Sequence, residues 1–192
     1  MARPRSVDKH AAILDAAIQV VAERGLAATP TSAISKAAGV AEGTLFTYFK
    51  TKDALVNALY LQIKREMADA MVADFPHHAA IRQQLQYVWD CFVRWGVAHP
   101  AKKLVMDQLK TAAAITPETR QVAAAPFAGI EQLFRASVAS GVLRDYPVAF
   151  IWACMASLAE ATMDAMAREP EAADAYRQMG FEILWNGIAQ GK

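Results

Sequence analysis

A chain of 192 residues that is 55% hydrophobic and 20% charged is long enough to bury a core and too apolar to stay disordered. Its 41 alanines favour helix over strand, so the expected class is all-α. The net charge of +1 hides an asymmetry: residues 1–52 carry seven Lys/Arg against four acids, and the rest thirteen against fifteen. A basic head on a faintly acidic body suits a nucleic-acid-binding end. The N-terminus has no apolar stretch of the secretory type. The longest uncharged apolar run, Tyr146 to Ala159, falls short of the roughly 20 residues a membrane span needs. A cytoplasmic protein with no membrane partner is expected.

In chain order, Ser6 can cap a first helix in which Ile13, Ala17, Val20 and Val21 recur at helical spacing, ended by Gly25. Thr29-Pro30 then reads as a cap followed by proline at the first helical position. The short helix after it would turn Ile34 and Ala37/Ala38 inward and stop at Gly39, and a third runs from about Ala41 to Phe49. Thr51 caps a longer helix from Lys52 to about Asp74, with Leu55, Leu59, Ile63 and Met67 on one side. Five more helices are expected, over 79–98 (stopped by Pro100), 101–113, 117–139 (Thr116 cap, Gly141 after), 147–168 and 171–189. Pro126 predicts a kink or break within the third of these five. About nine helices and no sheet result.

Residues 29–52, TPTSAISKAAGVAEGTLFTYFKTK, carry the clearest chemistry. Two short helices flank Ala38-Gly39-Val40, where glycine permits the left-handed backbone of a tight turn. Ile34, Val40, Leu45 and Phe49 point inward and lock the pair. The third helix would then enter the major groove by its N-terminal end. Its outward positions suit DNA: Gly43 allows close approach, Thr44 and Thr47 offer hydroxyls and methyls, and Tyr48 a phenol. Lys50 and Lys52 are placed for phosphates, and Lys36 adds charge on the second helix. Short alanine-rich helices joined by glycine also occur in plain cores, so spacing alone leaves both readings open.

The run Ala37-Ala38-Gly39-Val40-x-x-Gly43-Thr44-Leu45-Phe46-x-Tyr48-Phe49-Lys50-x-Lys52-x-x-Leu55 resembles, almost position for position, the DNA-binding signature of the TetR (tetracycline-repressor) family. The likeness runs from about Ile13 to Leu59, a quarter of the chain. It implies a three-helix helix-turn-helix head (residues 1–52) and a helical effector-binding and dimerisation domain (residues 53–192). It also implies a homodimer through the last two helices, and repression of a palindromic double-stranded operator released by a small molecule. Carried over by residue, it assigns Thr44, Thr47 and Tyr48 to DNA and Lys52 and the Thr29 end of the second helix to phosphates. Leu45 and Phe49 go to the core of the head. Thr31, Ala33 and Phe46 depart from the usual pattern.

The remaining helices are rich in aromatic residues and methionine, beyond what a compact bundle needs, and an apolar or aromatic effector is expected. Its candidate lining is Trp89, Phe92, Met106, Leu109, Phe127 and Met155. Trp152, Ala153, Ala156, Ala159 and Met163, with Phe181, Leu184, Trp185 and Ile188, form two apolar faces suited either to a dimer bundle or to an internal core. Glu160 and Asp164 lie one turn apart and read as surface acids, or as a selector for a cationic ligand. Cys91 and Cys154 read as small buried hydrophobes. His77 and His78 are adjacent and have no ligand partner at helical spacing, so no metal or other cofactor is expected. No nucleophile motif is present, and the chain reads as no enzyme. An activator of the same fold, or a helical carrier or enzyme, remains as an alternative.

Overall fold

The structure, a computed structural model, describes residues 4–191, with side chains from Lys9 onward. Ten α-helices lie among the described residues: α1 (Pro4–Arg24), α2 (Thr31–Ala37), α3 (Glu42–Tyr48), α4 (Lys52–Val72), α5 (Ile81–Ala98), α6 (Pro100–Lys110), α7 (Pro117–Ala124), α8 (Ala128–Ala139), α9 (Val148–Arg168) and α10 (Ala173–Ile188). The class is all-α. Extended pairing among the described residues amounts to one isolated antiparallel bridge, Leu143 with Ala189.

Proline sets several of the boundaries. Pro126 breaks the expected helix over 117–139: α7 stops at Ala124, a 3-10 turn spans Ala125–Phe127, and α8 begins at Ala128. The one expected helix is thus two. Pro100 stands two residues past the end of α5 at Ala98, as expected of a stop. It occupies the start of α6, where its missing N–H is not needed. Thr51 and Thr116 cap as expected, their Oγ1 atoms accepting from the Ala54 N–H at 3.0 Å and the Thr119 N–H at 3.1 Å. Helix α1 begins at Pro4, ahead of Ser6, so Ser6 is not its cap; the Ser6 side chain lies outside the described residues. Thr29 does not cap α2 either, since that helix starts after Pro30 without a side-chain cap.

The helices form two compact units, Met1–Arg65 with His99–Ala124, and Glu66–Ala98 with Ala125–Lys192. In the first, α1 packs on α2 and α6, and α2 on α3. Ile13, Ala17, Val20 and Val21 are all buried, as are Ile34, Leu45, Phe49, Leu55, Leu59, Val105, Met106 and Leu109. Helix α2 buries Ile34 and Ser35, not the alanine pair: Ala37 is exposed and Ala38 half-buried. The Ser35 hydroxyl donates to the Ser32 carbonyl at 3.1 Å, which satisfies a polar group at an inward position.

In the second unit, α9 packs against α5, α8 and α10. Its core gathers Trp89, Phe134, Ile151, Met155, Met163 and Phe181. Gly180 allows the close approach of α10: a Cβ there would meet the Thr162 side chain and stand 2.6 Å from Trp89 Cζ2. The buried Trp89 indole N–H donates to the Arg177 carbonyl at 2.9 Å, and the Arg177 guanidinium pairs with Asp90 at 2.7 Å and Asp174 at 2.9 Å. Cys91 and Cys154 are free thiols, half-buried and not fully enclosed. Asp164 is exposed and Glu160 half-buried.

Candidate nucleic-acid interface

Gly39, at φ +66°, turns the chain between α2 and α3 in the left-handed region that the sequence predicts for it. The Val40 N–H donates back to the Ser35 carbonyl at 3.0 Å, and the Thr44 N–H to Ala41 at 2.9 Å, so turn and helix start are both closed. A side-chain bond adds to this: the Thr31 hydroxyl donates to the Glu42 carboxylate at 2.8 Å, tying the first turn of α2 to that of α3. Thr31 is one of the departures from the family pattern, and an apolar β-branched residue there could not make this bond.

With Leu45 and Phe49 held inside, α3 presents its other side outward. Gly43, Phe46 and Thr47 are exposed, and Thr44 and Tyr48 half-buried. The Thr47 hydroxyl donates to the Gly43 carbonyl at 2.9 Å, which leaves its acceptor capacity free. Tyr48 is braced from α1: the exposed His10 ring lies edge-on to it at 6.2 Å and against Phe49 at 4.9 Å. His10 is absent from the sequence-predicted set, because no spacing rule connects residues 38 positions apart.

The predicted phosphate contacts divide. Lys36 and Lys50 are exposed. Lys52 is half-buried, and its ammonium donates to the Leu26 carbonyl at 3.4 Å. Thr29 is buried, with its hydroxyl donating to the Gly25 carbonyl at 2.7 Å. That hydroxyl closes the end of α1. The predicted effector lining divides too. Met106 and Leu109 are buried in the first unit, whereas Trp89, Phe92, Phe127 and Met155 belong to the second. In the second unit Trp89 and Met155 are fully enclosed, and Phe92 and Phe127 half-buried.

The apolar faces expected on the last two helices are mostly internal. Ala159, Met163, Phe181, Leu184 and Ile188 are buried. Trp152 packs on Phe134 at 5.1 Å between ring centres, and Trp185 lies under the Arg82 guanidinium at 5.7 Å. The outward apolar residues are others: Phe150 is 59% exposed, Met179 49% and Ile183 62%. A groove of about 490 Å³ runs along α9 and α10, lined among others by Tyr146, Phe150, Cys154, Leu158, Ile183 and Gly187.

Residues 13–59 match the model of the bacterial regulatory proteins of the tetR family. Over most of its length the chain is similar to the crystal structure of a protein assigned to the tetR family of transcription regulators, from Shewanella sp. PV-4. Identity is 30%, coverage 94% of this chain and 98% of that one, and the TM-score 0.84. The chain belongs to the TetR family.

Among curated proteins, it is 35% identical over 80 residues to the fatty acid metabolism regulator protein of Bacillus subtilis (strain 168). That match spans 42% of this chain and less than half, 41%, of that protein. The crystal structure of the transcriptional regulator FadR from Bacillus subtilis, in complex with stearoyl-CoA, shares the fold, with a TM-score of 0.73, 22% identity and coverage of 93% and 99%. Membership in a family of regulatory proteins sets aside the enzyme and carrier alternatives. Within a TetR regulator, α2 and α3 are the helix-turn-helix.

Proposed function

We propose that this TetR-family chain is a ligand-responsive repressor that grips a palindromic operator as a homodimer. The observation that carries the reading is the outward side of α3. Gly43, Thr44, Thr47 and Tyr48 are gathered with the exposed Phe46 on a short helix that sends Leu45, and Phe49 just after it, into the core. Small polar groups there suit base edges and thymine methyls, and Lys36, Lys50 and Lys52 suit phosphates. The head of residues 1–52 takes the DNA, and residues 53–192 take effector and partner subunit.

Dimerisation through α9 and α10 is supported by the groove bearing Phe150 and Ile183, since large apolar side chains so exposed mark an interaction surface. Two-fold pairing of such a face with itself would set two heads on two half-sites. For the effector, an apolar molecule met by Trp89, Phe92, Phe127 and Met155 remains the reading. The stearoyl-CoA bound by the similar FadR supports a long-chain acyl compound as the first to try. The methionines of this core can change rotamer to admit such a chain.

The test is selection of duplexes from a randomised pool with the purified protein, followed by binding at several salt concentrations. Enrichment of an inverted repeat, with affinity falling steeply as salt rises, is expected. Failure to enrich any sequence would remove the regulator reading. Adding stearoyl-CoA to the complex should release the DNA; unchanged binding would exclude the acyl class and leave the DNA reading in place.

A further inference from the structure

The turn that leaves α1 is held from two sides. Gly25, at φ +82°, starts it, and its carbonyl takes the Thr29 hydroxyl. The Leu26 N–H donates to Oε1 of Gln108 at 2.6 Å, although the two residues are 82 positions apart. The Leu26 carbonyl accepts from the Thr29 N–H at 3.4 Å and from the Lys52 ammonium at 3.4 Å. Gln108 stands on α6, which packs on α1 and inserts Met106 and Leu109 into the core on either side of it. An ammonium has three donors, so Lys52 can give one to Leu26 and keep two for a phosphate.

We infer that Gln108 is a positioning residue for DNA binding, acting through Leu26 to hold Lys52 where it meets the phosphate backbone. This inference deepens the repressor reading above and rests on it. Oε1 of Gln108 fixes the turn, and the turn carries the carbonyl that aims Lys52. The contact is short, and a shift of α6 by roughly 1 Å takes it beyond hydrogen-bonding distance. A movement of α6 is thereby reported to a charge at the start of α4. Removing the acceptor has the same effect as moving the helix: the turn loosens and the ammonium loses its orientation.

The experiment is a double-mutant cycle of Gln108→Met and Lys52→Met in the full-length protein, with a duplex enriched by the wild type as the probe. Each single variant should bind about fivefold more weakly and show a salt slope lower by about one. The double variant should be no weaker than the weaker single one, because both act on one contact. Gln108→Met should also speed hydrogen exchange at the Leu26 amide, and Gln108→Glu, which keeps an acceptor, should restore its protection. Wild-type affinity and slope in Gln108→Met, or effects that multiply in the double variant, would overturn the inference. If the wild type itself shows no salt-dependent binding, the repressor reading fails and takes the inference with it. That outcome is recognised before any variant is made.

Discussion

The outer side of α3 and the outer side of α9 and α10 differ in the side chains they present. In the first unit, Leu45, Phe49, Leu55 and Leu59 are turned inward; the outer side of α3 carries glycine, threonine, a braced tyrosine and the exposed Phe46, and Leu104 and Val122 stand outside on α6 and α7. In the second, Trp89, Phe134, Phe181 and four methionines fill the interior, yet Phe150, Met179 and Ile183 still stand outside. A surface of small polar groups suits a charged, hydrated partner whose edges vary by hydrogen bonding. A surface that keeps exposed aromatic and aliphatic groups beside a full core suits a partner that buries them. On the proposed reading, the head meets a polar polymer and the body an apolar surface.

The contrast can be strained most severely in the second core. Trp89→Ala should cost about 3–5 kcal/mol in urea unfolding, since the indole is fully enclosed and its N–H is satisfied. Gly180→Ala should cost about 1–3 kcal/mol by overpacking against Trp89 and Thr162. Small changes at both sites would mean that this core is loose enough to hold a ligand without rearrangement. On the surface the separation is sharper still. Phe150→Asp with Ile183→Asp should shift sedimentation to the monomer, whereas Trp185→Ala, whose ring lies under Arg82 of its own chain, should stay dimeric. The reverse pattern would return the interface to the face first read from the sequence.

In the head, Tyr48→Ala should weaken DNA binding while costing about 1 kcal/mol or less of stability, because its ring is half-buried and touches His10 at an edge. A large loss of stability would make Tyr48 part of the core and break the contrast there. The smallest effect concerns acid. The hydrogen bond and charge of Arg177 hold the Asp174 carboxyl below its ordinary range. A group depressed in this way supports the fold above its unfolded value, and that support is lost as pH falls through the folded one. Asp174→Asn should therefore slightly flatten the loss of stability below about pH 4. Identical acid limbs for variant and wild type would show that the pair contributes nothing.

Much of the fold was legible because its determinants are local. The fixed φ of Pro126 broke a helix where it had to, Gly39 turned the chain, and Thr51 and Thr116 capped. Pro100 was read in part: α5 ends ahead of it as expected, and α6 starts on it because a missing N–H is harmless at a helix start. Thr29 was misread because a hydroxyl before a proline can serve the helix behind it as well as the one ahead. The inner side of α9 and α10 was not legible: with alanine at so many positions, several helical faces are apolar enough to be core, and only the neighbours decide. Gln108 and His10 left no local trace, as each acts on a part of the chain far away in sequence.

The enclosed indole of Trp89 has a practical consequence. All four tryptophans, Trp89, Trp95, Trp152 and Trp185, belong to the second unit, and residues 1–65 contain none. Tryptophan emission therefore comes from the body alone, since the first unit holds Tyr48 and Tyr60 but no tryptophan. Excited selectively, and corrected for absorption by the DNA, that emission gives the native protein its own gauge of coupling from reader to body without a dye or a label.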